Sequence, residues 1–232
     1  MTASRAWLRD NQRLFPPLFA LAVSSAMSVA LLAFRIYYSE TITFYFLVWN
    51  LFLAWIPLLF ALAMRQTGQR ARHSHMLMVV LFFGWLTFFP NAPYIVTDFL
   101  HLSPRASAPL WYDLMVIFSF AWNGLILGFT SLWMVQQQVQ RSYGTVAGWL
   151  LAAGVLALSG FGIYLGRFLR WNSWDLIASP HALAADILER FLNPLAHPQT
   201  LAVTVLYSGF LLVAYVTVVL LTDAGGRLKI KD

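Results

Sequence analysis

Six runs of this chain carry no Asp, Glu, Lys, Arg or His, and their lengths leave few folds open. Arg13 to Arg35 encloses 21 uncharged residues, Glu40 to Arg65 24, and His75 to Asp98 22. Asp113 to Arg141 encloses 27, Arg141 to Arg167 25, and His197 to Asp223 25. A helix rises about 1.5 Å per residue, so about 20 apolar residues cross a bilayer core roughly 30 Å thick. Lipid offers the backbone no hydrogen-bond partner, so a spanning segment closes its own bonds as a helix or joins a barrel. Runs this long select the helix. The sequence therefore predicts an all-α, polytopic transmembrane bundle of about six helices. They fall near residues 14–34, 41–64, 76–97, 112–135, 145–168 and 200–221, in one integral membrane domain over 1–232.

Only 10% of the residues are charged, against about 25% in soluble domains. The net charge is +6, but the basic residues sit in short loops between apolar runs and form no long patch. That argues against nucleic acid as a partner and leaves membrane lipids. Cysteine is absent, which removes disulfides, thiol catalysis and cysteine-held iron–sulfur clusters. The start of the chain has a basic segment (Arg5, Arg9, Arg13) and then an apolar run, as a secretory signal does. The run is long for a signal, and its small residues lie inside it, so a retained helix is expected.

Lysine and arginine counts set the orientation. With the N-terminus inside, the cytoplasmic segments hold Arg5, Arg9, Arg13, Arg65, Arg70, Arg72, Arg141, Arg227, Lys229 and Lys231. The outer segments hold only Arg35, Arg105, Arg167, Arg170 and Arg190. Both termini are expected in the cytoplasm. Between the fifth and sixth spans, Leu183, Ile187, Leu188, Phe191 and Leu192 recur at helical spacing after Ser179-Pro180. This predicts a short amphipathic helix near 180–192, on the membrane surface or packed on the bundle.

The third span contains the least ordinary stretch, Phe-Phe-Pro-Asn-Ala-Pro-Tyr-Ile-Val-Thr-Asp at 88–98. Prolines remove backbone donors and disfavour helical geometry in the residue before them. A break at Pro90 and Pro93 is expected, short of the far membrane face, where irregular backbone must be enclosed by protein or line a cavity. Gly124/Gly128, Gly144/Gly148 and Gly162/Gly166 have a spacing that lets helices approach closely. Tight packing of the fourth helix on the fifth is expected, bringing Asp113 near Arg167.

Three helix ends would then share the outer rim. The third brings Asn91, Tyr94, Thr97, Asp98 and His101, and the fourth Trp111, Tyr112 and Asp113. The fifth brings Arg167, Arg170, Trp171, Asn172, Trp174 and Asp175. Charges at membrane depth cost about 2.5–3.5 kcal/mol each on insertion scales, so they are paired or functional. Asp98, His101 and Asp113 would suit a divalent metal, although two arginines nearby oppose it. Arg167 and Arg170 would suit phosphate or carboxylate, which guanidinium forks bind bidentately. The plain alternative is mutual charge compensation. The tryptophans are expected in an interfacial belt, and Asn50 and Asn123 on neighbouring helices. Which cofactor, if any, the protein holds is unknown from the sequence.

The stretch 88–98, Trp-Tyr-Asp-Leu at 111–114 and Gly-Arg-Phe-Leu-Arg-Trp-Asn-Ser-Trp-Asp at 166–175 resemble the bacterial membrane-protein family called domain of unknown function 1361. The resemblance runs from the second helix through the sixth. It implies a polytopic bacterial membrane protein and brings no catalytic residues. Two function classes remain. One binds or processes an anionic envelope or lipid-linked substrate, held by Asn91, Tyr94, Tyr112, Arg167, Arg170, Asn172 and Asp175. Asp98 or Asp113, with His101, would be its acid–base groups. The other is a transporter whose path the broken helix lines. A scaffold subunit is the blander option.

Overall fold

The uncharged runs fold as helices because each must satisfy its own backbone in an apolar setting. The computed structural model describes residues 2–68 and 75–228, with the side chains of 2–13 and 225–228 left aside. Arg5, Arg9, Arg13, Arg70, Arg72, Arg227, Lys229 and Lys231, which weigh in the orientation count, lie outside the described residues or side chains. The helices are α1 (Thr2–Ser39), α2 (Phe46–Gly68), α3 (His75–Phe88) and α4 (Asn91–Tyr94). A 3₁₀ segment, Ile95–His101, continues from α4. Then come α5 (Leu110–Tyr143), α6 (Thr145–Phe168), α7 (Asp175–Ala178), α8 (Pro180–Leu192) and α9 (Pro198–Leu228). No strand occurs among the described residues.

Six stretches are long and apolar enough to cross a membrane. They are Leu14–Ser39, Phe46–Gly68, His75–His101, Leu110–Tyr143, Thr145–Phe168 and Pro198–Ala224. Each contains or overlaps the run expected there. The amphipathic helix also falls where its spacing predicts, with Pro180 in the first turn, although Ser179 makes no side-chain cap.

α5 is the hub. Its apolar window is 61% buried, where the other five spans range from 17% to 39%. α1, α2, α4 and α6 all pack on it, and α9 packs on α6. Its buried face carries polar residues at intervals, and each finds a partner. Asn123 donates to Ser28 Oγ at 2.9 Å and to Ser24 O at 3.3 Å, tying α1 to α5 as a helix-bonding asparagine should.

The third span is interrupted at Pro90 as expected, with α3 ending at Phe88 and α4 beginning at Asn91, while Pro93 stays inside α4. The chain tightens instead of unwinding. Pro90 keeps right-handed helical dihedrals (φ −60, ψ −23). Phe89 N–H still reaches Trp85 O at 2.8 Å, Ala92 N–H reaches Phe89 O at 3.1 Å, and Tyr94 N–H reaches Pro90 O at 3.0 Å. Proline's fixed φ is compatible with such a turn, and its missing donor falls where the ladder is already shifting to shorter loops.

The glycines act on this turn and not chiefly between α5 and α6. A Cβ on Gly124 would stand 2.4 Å from Ala92 O, and one on Gly128 3.1 Å from Ala92 Cβ. From the other side, a Cβ on Gly162 would lie 3.0 Å from Pro90 Cβ, and one on Gly166 3.0 Å from a Tyr94 ring carbon. α4 is thus wedged between glycine pairs of two helices. Gly144 instead turns the chain from α5 into α6 with φ +88, open to a residue lacking Cβ.

Candidate functional site

Wedging α4 fixes where the 3₁₀ segment delivers its side chains. Asp98 is 1% exposed. One carboxylate oxygen meets Arg167 Nη2 of α6 at 2.5 Å, and the other accepts from Asn50 Nδ2 of α2 at 2.9 Å. Thr97 Oγ1 donates to Tyr94 O at 2.7 Å, which turns its lone pairs toward Arg167. Arg167 Nε and Nη2 donate to that oxygen at 2.9 and 2.5 Å. The guanidinium also lies over the Tyr94 ring, 4.8 Å from its centre. Arg167 Nη1 lies 2.9 Å from His101 Nε2. Arginine only donates, so Nε2 is the acceptor and the imidazole proton sits on Nδ1. His101 is exposed and leans on Phe46, with ring centres 4.9 Å apart.

Asp113 does not join this group, contrary to the expectation from helix packing. Its carboxylate is fully buried and meets Arg35 Nε of α1 at 3.1 Å. Arg105 Nη1 approaches its second oxygen at 3.7 Å. α1 packs on α5, and the 102–109 connection folds back over the start of α5, so both cations arrive there first. Arg35 Nη1 also donates to Thr41 Oγ1 at 2.6 Å. The Phe44 ring lies between the two guanidinium groups, 5.2 Å from Arg35 and 4.8 Å from Arg105. Phe44 has φ 69, a left-handed conformation uncommon for a bulky residue, and is 1% exposed. Arg105 Nη2 donates to His101 O at 3.1 Å, which links the two ion pairs. Among the described residues, no three acidic or imidazole side chains converge as metal ligands.

A cavity of about 620 Å³ opens beside the Asp98–Arg167 pair. Six of the predicted residues line it: Asn91, Tyr94, Asp98, His101, Arg167 and Asn172. Asn91 Nδ2 donates to Ser173 Oγ at 2.8 Å, and Ser173 donates to Thr87 O at 3.2 Å, which holds the 170–174 loop over the α3–α4 turn. Trp171 also lines the cavity, and its Nε1 donates to Asp186 Oδ2 at 2.7 Å, anchoring α8 beside the opening. Arg190, on the same helix, lies over Tyr164 of α6.

Four predicted residues lie elsewhere. Tyr112 donates to Leu31 O at 3.0 Å, in the contact between α1 and α5. Asp113 is in the buried pair described above. Asp175 accepts from the backbone N–H of Asn172 at 2.7 Å and closes a local turn. Arg170 is exposed with φ 63, and its side chain makes no hydrogen bond or ion pair among the described residues. Arg35, Asn50 and Ser173 are the members that sequence reasoning does not place at the rim; it places Thr97 there without a role. Arg35 closes a 21-residue uncharged run, a position that reads as an ordinary interfacial anchor. Asn50 is the one amide in the expected second span, 41–64, but only the fold shows that it bonds Asp98.

Fold and site together define an all-helical protein with six membrane-span-like helices and a charged pair facing a cavity near the ends of two of them. The chain belongs to the family described as "Protein of unknown function (DUF1361)", which matches residues 49–214. That match starts next to Asn50 and extends past α8, so it includes every residue of the Asp98–Arg167 group. It excludes Arg35 and all of α1. No curated protein and no solved structure matches the chain.

Proposed function

We propose that this is a multi-pass protein of the bacterial inner membrane, with both termini cytoplasmic. It binds or processes an anionic envelope or lipid-linked substrate at the extracytoplasmic ends of α3–α4 and α6. The observation that carries this reading is the Asp98–Arg167–His101 group on the wall of a 620 Å³ cavity. A guanidinium has five N–H donors. The two bonds to Thr97 and those to Asp98 and His101 use four of them. One Nη1 hydrogen is left to meet an anion. Asp98 and Thr97 fix the fork in place before a ligand arrives, which lowers the ordering cost of binding. Arg170, exposed three residues further on, is not among the residues that line the cavity and takes no part in this reading.

In a processing reaction, His101 is the acid–base group, exposed and with its other nitrogen held by Arg167; Asp98 tunes that arrangement. Asp113 belongs to the frame that holds the site. A transport path is less well supported, because the inner part of the cavity is lined by Leu53, Leu86 and Val155, which offer an ion no ligands.

The test is mass spectrometry of lipids and small anions that copurify with the protein in mild detergent. An anionic species bound to wild type and to His101→Ala, and depleted in Arg167→Gln, is expected. His101 is exposed, so its loss leaves the Asp98–Arg167 pair intact. Equal amounts of the same anions on wild type and Arg167→Gln would contradict the proposal.

A further inference from the structure

The cavity is longer than a headgroup needs. Along α6 it runs from Arg167 inward to Val155. Twelve residues of helix are about 18 Å, more than half of a bilayer core about 30 Å thick. Along α2 it runs from Phe46 to Leu53. Below the charged pair its walls are mainly apolar: Leu53, Leu86, Val155 and Leu158 line it, with Thr87 and Ser159 as polar members, and the Ser159 hydroxyl is already bonded to Val155 O at 2.8 Å. An apolar slot excludes water and takes apolar matter. α2 and α6 each pack on α4 and α5, so they flank the slot without closing it. Trp49 of α2 and Leu158 of α6 line it, and both are 52% exposed within spans that face lipid.

We infer that the ligand is a membrane-resident amphiphile that enters sideways from the bilayer. Its hydrocarbon chain lies in the slot between α2 and α6, and its anionic head lies against Arg167. The inference rests on the anion reading above and adds the chain and the route. A lipid already in the bilayer reaches the slot without crossing water, and its head then stops at the depth where Arg167 and His101 stand. Charge at one end and an 18 Å apolar trough behind it match that shape and no small soluble anion.

The experiment uses the full chain in nanodiscs of zwitterionic lipid with a trace of phosphatidic acid. That lipid carries a photoreactive diazirine halfway along one acyl chain, and labelled positions are mapped by mass spectrometry. Leu53, Val155 and Leu158 are expected to label about tenfold more than Val205 and Val213, exposed positions on α9. Leu158→Trp, at a half-exposed site, fills the slot and should remove label from Leu53 and Val155 while leaving α9 unchanged. Equal labelling of slot and α9 overturns the inference. If inorganic phosphate or glycerol phosphate binds at Arg167 while the slot stays unlabelled, the inference falls and the anion reading stands. If slot labelling is strong but identical for a phosphatidylcholine probe and for Arg167→Gln, the chain site stands and the anion reading falls.

Discussion

Arg35 and Asp113 stand 78 residues apart in sequence and meet at 3.1 Å with both side chains fully removed from solvent. A buried ion pair adds little net stability, yet removing one partner strands the other at a cost of about 3–5 kcal/mol. Arg35→Met should therefore lower the thermal midpoint in detergent sharply. Arg105→Met should cost less, because Arg105 is 29% exposed and stands farther from Asp113, at 3.7 Å. The double variant Arg35→Met/Asp113→Leu should recover much of the loss. A double-mutant cycle of unfolding checks this, and strictly additive losses would argue against coupling.

At Asp98 the test separates charge from hydrogen bonding. Both carboxylate oxygens are bonded, one to Arg167 and one to Asn50. Asp98→Asn keeps an acceptor for one of them but loosens the Arg167 fork, which Asp98 and Thr97 hold in place for the ligand. The expected outcome is a protein that still accumulates in the membrane and no longer retains its anionic ligand. Asn50→Asp should be worse for stability, since it sets a second carboxylate against the first. Membrane yield and copurifying lipid are the two readouts. Loss of Asp98→Asn from the membrane would assign the pair a structural role.

Glycine substitutions should divide by what the added methyl group meets. Gly124→Ala places a Cβ 2.4 Å from a backbone carbonyl of the α4 wedge. Overpacking of that kind costs about 1–3 kcal/mol. Gly154→Ala meets nothing within 4 Å, on a helix of the same bundle. It should be neutral or stabilising by up to about 1 kcal/mol. Thermal unfolding of the two variants side by side decides this.

Topology is open to a clean chemical test because the chain has no cysteine. Ala106→Cys lies exposed in the 102–109 connection, and Ser142→Cys lies exposed at the end of α5. An impermeant maleimide should label the first in intact cells and the second only after permeabilisation. The reverse pattern would invert the orientation.

The uncharged runs made the helices legible. Their lengths are set by the bilayer, and this constraint acts on every residue of a span. The site was partly legible for the same reason: Asp98, His101 and Arg167 stand where the runs end. The partnership of charges was not. It depends on which helix reaches a carboxylate first, and Asp113 is met by α1, a helix that glycine spacing says nothing about. The form of the third-span interruption was hidden as well. Two prolines announce lost donors, but whether the chain unwinds or tightens is decided by the space at Gly124, Gly128, Gly162 and Gly166.

Anionic lipid bound per protein, after exchange into detergent and quantified by phosphorus and mass spectrometry, bears most directly on the central claim. Wild type should hold a near-stoichiometric amount, and Arg167→Gln, at matched thermal midpoint, should lose it. Equal lipid on both proteins would contradict the role given to Arg167.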